Sequence, residues 1–500
     1  MKTKDSLLMN EPTVKEVKSG SPLKKFKMTT EIPASITTPD KVETRLGTLK
    51  FVDGFPDTAT VQKVYDNLDF QRGVQAFLTG LPAASLFETR AGYRTFGPDN
   101  KTVMIAESFL DSRSLYLVAN TETIYLTVWA DTKDGPLVIE TPPDMLGFVN
   151  DFWCRYVTDM GRAGRDKGKG GKYLLLPPGY KGHIPEGYFV TQSPTYGNFV
   201  WLRGFLVNGE AEPTIESMKK NFRIYPLAQA ANPPAIKFVN ISGQYFNAIP
   251  SNDASFFEDL ARVVQEEPLD AVDPEIRGLL AAIGIQKDKP FSPDVRMQDI
   301  LADAAAVGNA TARAIFFDTR DPDAYLYPNS GWKMAYVGND VSFAPGGILN
   351  PDGRTRFYYG ATGVTPAMMV KMVGIGSQYA TAERDAKGKY LDGAKSYRLH
   401  LPPNIPVKDF WSIIVYDPQT RSLLQTNQKF PSASNQKKGI VYNSDNSVDI
   451  FFGPEAPAGH EVNWIQTIPG KGWWTILRLY GPLDPWFNKT WRPGEIEELK

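Results

Sequence analysis

Residues 123–130 (TIYLTVWA) alternate with a period of two, and residues 199–206 (FVWLRGFL) do the same. Runs of this length, rich in β-branched and aromatic side chains, read as strands. Shorter runs surround them at 102–105, 114–119, 136–139, 152–159, 173–176 and 188–191. Gly, Pro, Asn or Asp clusters separate the runs, so the spacing predicts an antiparallel sandwich or barrel. Upstream, Val61, Val64, Tyr65 and Leu68 share one face of a helix beginning at Thr58, which Pro82 is expected to interrupt. Downstream, 215–222, 254–265, 274–285 and 297–315 have helical spacing. Strands return at 397–401, 410–416, 439–442, 448–452 and 473–480. The predicted class is therefore α+β, mainly β: two antiparallel β-sandwich or jelly-roll domains joined by a helical segment. The expected divisions are a disordered tail at 1–45, a helix plus β-sandwich at 46–210, a helical bridge or cap at 211–395, and a second sandwich at 396–500.

The 500 residues carry 55 Lys+Arg against 56 Asp+Glu, a net charge of −1. General binding to nucleic acid or an anionic membrane needs a basic surplus, so neither is an expected partner. The single cysteine, Cys154, cannot form an internal disulfide or a thiolate zinc cage. The three histidines, His183, His400 and His460, are too few for a His-rich metal site. No run reaches the ~18 apolar residues of a membrane span. The apolar stretch 7–9 is shorter than a signal core of ~7–15 residues. The expectation is a soluble cytoplasmic protein, or a periplasmic one if a signal has been removed.

Common catalytic signatures are absent: no G-x-S-x-G, no H-E-x-x-H, no phosphate-binding P-loop. The stretch 161–172 (GRAGRDKGKGGK) reads first as a hairpin turn, and otherwise as a basic flap carrying Arg162, Arg165, Lys167, Lys169 and Lys172. Asp318, Asp321 and Asp323, and separately Asn443, Asp445, Asn446 and Asp449, gather oxygens of the kind calcium takes. The second cluster also reads as a turn. Trp473 and Trp474 are adjacent, so a strand would turn them to opposite faces, one into the core and one available for stacking.

Two stretches carry a more specific signal. Residues 65–77 (YDNLDFQRGVQAF) and 118–141 (VANTETIYLTVWADTKDGPLVIET) resemble the bacterial family called domain of unknown function 1254. In that family an Asn-x-Asp-Thr-x-Tyr run opens a strand; here Glu122 stands at the Asp position. Residues 410–417 (FWSIIVYD), Asn427, 443–453 (NSDNSVDIFFG), Asn463-Trp464 and 477–491 (LRLYGPLDPWFNKTW) resemble domain of unknown function 1214. Between them, 363–380 (GVTPAMMVKMVGIGSQYA) is similar to the long members carrying both. The resemblance spans about residues 50 to 497. It implies two β-rich domains bridged by helices. It also points to a hydrolase of small phosphorylated or polyhydroxylated compounds, with calcium as the candidate cofactor.

The candidate site residues follow. Asn120, Glu122, Thr123 and Tyr125 sit at a loop-to-strand junction, where a rigid sheet can present functional groups. Glu122 is the candidate catalytic base or metal ligand, and Tyr125 a hydrogen-bond donor to substrate. Structurally, the same residues make a turn and a core tyrosine. Arg203 and Arg478 lie among apolar strand residues; their planar forks suit phosphate or carboxylate, or else a buried ion pair joining the β-domains. Trp411, Asn463 and Trp464 could hold a sugar or polyol by stacking and a directed amide, or be core and turn residues. Ser377, Gln378 and Tyr379 follow two glycines and are expected to line a pocket. Asp69 and Arg72, three apart on a helix, are expected to pair. The primary expectation is a phosphoester-type hydrolase working in a cleft between the β-domains. The alternative is a non-catalytic carbohydrate or small-molecule binding protein, and a homo-oligomer-forming role stands third.

Overall fold

The computed structural model describes residues 26–500, and the chain divides into two compact units, one ending at Asp66 and one covering Asn67–Lys500. In the first, Lys41–Thr44 pairs antiparallel with Gly47–Val52, which pairs in turn with Phe55–Pro56. The expected disordered tail therefore stops short of residue 45, because Lys41–Thr44 is a paired strand; its first 25 residues lie outside the described ones. Gly47, at φ +84°, supplies the left-handed residue that closes the hairpin. Asp57 caps the following helix by accepting the Thr60 N–H at 2.7 Å.

That helix, Thr58–Arg94, does not end at Pro82. The lost backbone donor is outweighed by burial on both sides: Leu81, Ala83, Ala84 and Leu86 are fully enclosed.

In the second unit, four large sheets alternate with a helical layer. A six-stranded sheet runs in the order Lys237–Asn240, Thr102–Ile105, Ile124–Asp131, Gly197–Gly204, Leu146–Asp151, Tyr156–Gly161. A four-stranded sheet, with Leu137–Thr141 and Gly171–Leu176 at its centre, shares an apolar core with it. The period-two pattern explains the packing. Ile124, Leu126, Val128, Val200 and Leu202 fill the core between these sheets. Tyr125, Trp129, Phe199 and Trp201 point the other way, into a central core. That core also takes Phe77 of the long helix, Phe256 and Leu260 of Ser255–Glu266, Leu301 and Phe316 of Val295–Phe317, and Phe357 of Pro351–Gly360. Val295–Phe317 is long and apolar enough to cross a membrane, but here its apolar side packs into this core.

The C-terminal sheets repeat the scheme. Ser377–Ala382, Trp474–Pro482 and Val407–Tyr416 form the middle of a five-stranded sheet. Trp411, Ile413, Val415, Leu477 and Leu479 face the four-stranded sheet behind it. Ile414, Tyr416, Trp474 and Ile476 face the central core. Trp473 and Trp474 are indeed divided between the two cores.

The class is α+β with sheets dominant, but the sheets are mixed rather than purely antiparallel. Phe189–Gln192, Lys237–Asn240 and Trp464–Gln466 join as parallel edge strands. The connections before the first two, residues 177–188 and 106–236, are long enough for the crossover a parallel neighbour needs. Residues 211–395 also carry strands: Arg223–Pro226 and Lys237–Asn240 extend the N-terminal sheets, and Ser377–Ala382 enters the C-terminal one. Two local expectations fail. Residues 439–442 form no ladder, their shape being set by Asn463, which accepts the Val441 N–H at 2.9 Å and donates to the Val441 carbonyl at 2.7 Å. Leu146–Asp151 is an additional strand whose Gly147 leaves no room for a side chain against Leu202 and the Trp201 carbonyl.

Candidate functional site

The central core is not completely filled. Between the Tyr125/Trp201 face of the six-stranded sheet and the Tyr379/Arg478 face of the five-stranded sheet lies a cavity with about 90 Å³ of room for the centres of water-sized spheres. Phe148, Trp201, Phe316, Phe357 and Trp474 make aromatic walls. Among the guanidiniums that line it are Arg203 from Gly197–Gly204 and Arg478 from Trp474–Pro482, exposed by only 2% and 3%. Both stay charged at any ordinary pH.

Their partners are unusual for buried cations. Arg203 donates from Nη1 to the Ser377 hydroxyl at 3.3 Å and lies over the rings of Trp201 (5.0 Å) and Tyr480 (4.8 Å). Arg478 donates from Nη2 to the Val118 carbonyl and to the Tyr416 hydroxyl, each at 2.6 Å. The Nε of each is buried without a hydrogen-bond partner. Among the described residues no carboxylate pairs with either, so the expected arginine–carboxylate lock between the β-domains is not what they form. An enclosed charge lacking a counter-ion is expensive, and arginine pairs facing a cavity are the usual way to take a carboxylate or phosphate.

The phenols around them respond to this field. Ser377, at 2.5 Å from the Tyr379 hydroxyl, couples that phenol to Arg203. Tyr379 and Arg478 stand directly opposite in the antiparallel ladder, so strand register fixes their proximity. Burial alone would raise the Tyr379 phenol. The charges of Arg203 and Arg478, with hydrogen bonds from Ser377 and Arg203, outweigh it and hold Tyr379 below the ordinary tyrosine value. Tyr125, by contrast, is pushed up by burial. Val118, whose carbonyl takes Arg478, sits at φ +44°, a strained setting for a β-branched residue. Its N–H donates to the Arg421 carbonyl at 3.0 Å, which helps hold the strain. A third cavity arginine, Arg356, donates to the Met334 carbonyl and to Thr381 and is the one nearest a carboxylate, Glu383.

The expected site residues are thus divided. Tyr125, Arg203 and Arg478 converge on the cavity and Tyr379 joins them; Ser377 is buried behind, hydrogen-bonded to Arg203, and Gln378 lines a different cavity. Asn120 is one step behind, donating to the Tyr480 hydroxyl, and Thr123 is buried next to Tyr125. Glu122 belongs elsewhere: it lines a separate groove with Lys437 and Lys438. Its oxygens accept from Thr121 (3.1 Å), Ser432 (2.9 Å) and Ser434 (2.7 Å). Burial raises its pKa, against the pull of these hydroxyls and Lys437. Trp411 is fully enclosed in the C-terminal core. Asn463 is spent on backbone groups of residues 441 and 449, and Trp464 donates to the Gly453 carbonyl at 2.9 Å. These three stabilise the sheet and do not line the cavity.

The other sequence clusters resolve into local structure. In 161–172 the Asp166 carboxylate accepts from Gly161, Gly170 and Tyr173, which makes a tight turn, with Arg162 over Phe205 at 4.3 Å. Asp318 pairs with Arg384 at 3.1 Å, while Asp321 accepts from Asp323 and Asn350. Asp445 caps the turn at Ser447, and Asp449 meets His400 at 2.7 Å. Among the described residues no three His, Cys, Asp or Glu converge as a metal site. Asp69 pairs with Arg296 at 2.7 Å, not with Arg72.

The fold and site define an α+β protein with a cationic, aromatic-walled cavity between two β-rich regions. Those regions coincide with two families: residues 100–226 match the protein of unknown function DUF1254, and residues 376–484 match the protein of unknown function DUF1214, in that order. The structure is similar to the crystal structure of the VPA0106 protein from Vibrio parahaemolyticus, at TM-score 0.54 and 18% identity, over 86% of this chain and 100% of that one. An uncharacterised protein from Burkholderia cenocepacia aligns over 89% of this chain and 97% of its own, at TM-score 0.37 and 11% identity. No curated protein matches the chain.

Proposed function

We propose that the central cavity binds a small organic anion with an apolar, ring-bearing body. The observation that carries this is the pair Arg203 and Arg478, both enclosed and both without a carboxylate, facing aromatic walls. The guanidiniums take the carboxylate or phosphate, and Trp201, Phe148 and Trp474 take the ring. Calorimetric titration with benzoate, phenyl phosphate and the neutral benzyl alcohol tests it. Saturable binding of the two anions and not of the alcohol is expected, with loss in Arg203→Met. Equal binding of the alcohol would remove the arginines from the explanation.

The hydroxyl pair Ser377–Tyr379 beside the arginines favours a second reading, hydrolysis of a small phosphate ester. In it the arginines carry the phosphate charge. Phosphate release from phenyl phosphate, with calcium and with a chelator, tests it, and Glu122→Gln separates this cavity from the Glu122 groove.

A further inference from the structure

We infer that Tyr379 is the acid–base group of this site: an anion seated between Arg203 and Arg478 drives a proton onto the Tyr379 phenolate, so anion binding takes up a proton. The inference rests on the anion-binding reading above. Its geometry is the ladder pairing of Tyr379 with Arg478 and the relay from Arg203 through Ser377 to the Tyr379 hydroxyl. Arg478 also lies over the Tyr379 ring at 5.5 Å.

The charged and titratable groups around Tyr379 are Arg203, Arg478, Tyr480, Tyr125, Tyr336 and, through Arg478, Tyr416, together with Arg356, which lines the same cavity. None is a carboxylate. The charges that act most on the Tyr379 proton are the guanidiniums of Arg203 and Arg478, and both favour the phenolate. Tyr379 also keeps accessible surface although it lies deep in the chain, because that surface faces the cavity. A ligand can therefore reach the phenol directly.

A bound anion occupies the same positive field. It repels the phenolate and raises the affinity of Tyr379 for a proton. By reciprocity, the phenolate weakens the anion. Anion affinity is then highest below the Tyr379 titration and falls as pH rises through it. At full coupling, one proton per anion, the fall is about tenfold per pH unit. The proton comes from solvent and ends on the Tyr379 oxygen; no bond of the ligand breaks.

The experiment uses the full chain and benzoate. Calorimetric titrations in two buffers of different ionisation enthalpy, from about pH 7 to about pH 10, give the protons taken up. The near-ultraviolet tyrosinate difference spectrum is followed on the same samples. Uptake growing toward one proton per benzoate in the alkaline range is expected, with loss of tyrosinate absorbance. Tyr379→Phe should abolish the uptake and the absorbance change. Ser377→Ala, which keeps the phenol but removes its hydrogen bond, should move the uptake to higher pH. Benzoate binding with no uptake anywhere in the range overturns the inference and leaves anion binding standing, as does uptake that persists in Tyr379→Phe. Failure of both benzoate and phenyl phosphate to bind at any pH overturns both.

Discussion

Arg203→Met should leave the protein at least as stable as the parent while destroying anion binding. The guanidinium is enclosed, hydrogen-bonds Ser377 at a long 3.3 Å and the neutral Tyr379 phenol, meets no carboxylate, and leaves Nε unpaired. Burying such a charge costs several kcal/mol. Against this stand two ring contacts, with Trp201 and Tyr480, worth about 0.5–2 kcal/mol each. Methionine keeps much of the stem volume, carries no charge, and adapts to the same aromatic walls. The balance runs from about zero to about 3 kcal/mol in favour of the variant, a midpoint change of up to a few degrees in thermal unfolding. Arg478→Met should behave oppositely. It strips two 2.6 Å hydrogen bonds and leaves the Val118 carbonyl and the Tyr416 hydroxyl without that donor. At about 1–3 kcal/mol for each of the two buried groups left unmade, the loss is about 2–6 kcal/mol. The assay is ligand-free thermal and urea unfolding of the parent and both variants in one buffer. If Arg203→Met loses as much stability as Arg478→Met, Arg203 is compensated by a group the geometry does not show, and the argument from an unpaired cation fails.

Three further outcomes are expected. Glu122→Gln should leave benzoate binding unchanged, since Glu122 faces another groove, whereas Glu122→Leu should cost about 2–4 kcal/mol by stranding Thr121, Ser432 and Ser434; chemical unfolding together with calorimetry checks both. Gly376→Ala should destabilise by about 3 kcal/mol or more, read from urea midpoints, because its φ is +75° and a Cβ would stand 1.9 Å from the Ala367 carbonyl. Burial raises the Asp159 carboxyl to about 7, against the hydrogen bond from Thr365. The folded state then keeps a proton that the unfolded chain has lost, so stability falls as pH rises from about 4 to 7 and is level above that. Asp159→Asn should make this fall shallower, and an unchanged slope across urea titrations at several pH values would assign it to other groups.

The sheet framework was legible because its strands obey the period-two rule on two buried faces at once. Residues 124, 126 and 128 fill one core while 125 and 129 fill the other. The same rule placed Trp473 and Trp474 on different sides. It missed Leu146–Asp151, where Gly147 and two polar residues interrupt the apolar pattern, and it over-read 439–442, which is apolar but has no ladder partner. Edge strands that join in parallel carry no local mark, because their partners are chosen by long connections.

The site was half legible. An arginine inside an apolar strand is conspicuous, and both Arg203 and Arg478 line the cavity. Polarity alone misplaced Glu122, Asn463 and Trp464, since a buried polar residue that satisfies backbone or hydroxyl partners looks the same in sequence as one that meets a ligand. The role of Tyr379 comes from its cross-strand neighbour 99 positions away in the chain, a relation no window of sequence contains.

Arg203 and Tyr125 come from the DUF1254 region, Arg478 and Tyr379 from the DUF1214 region, and one cavity needs all four. Neither region alone carries a complete pocket, so neither is a portable module. A gene that separated them would encode two proteins, each leaving one arginine and one aromatic wall open to water. Exchange of one region between relatives would have to preserve the ladder register of one sheet and the facing surface of the other together. The cavity is therefore a property of the pair of regions together and of neither one alone.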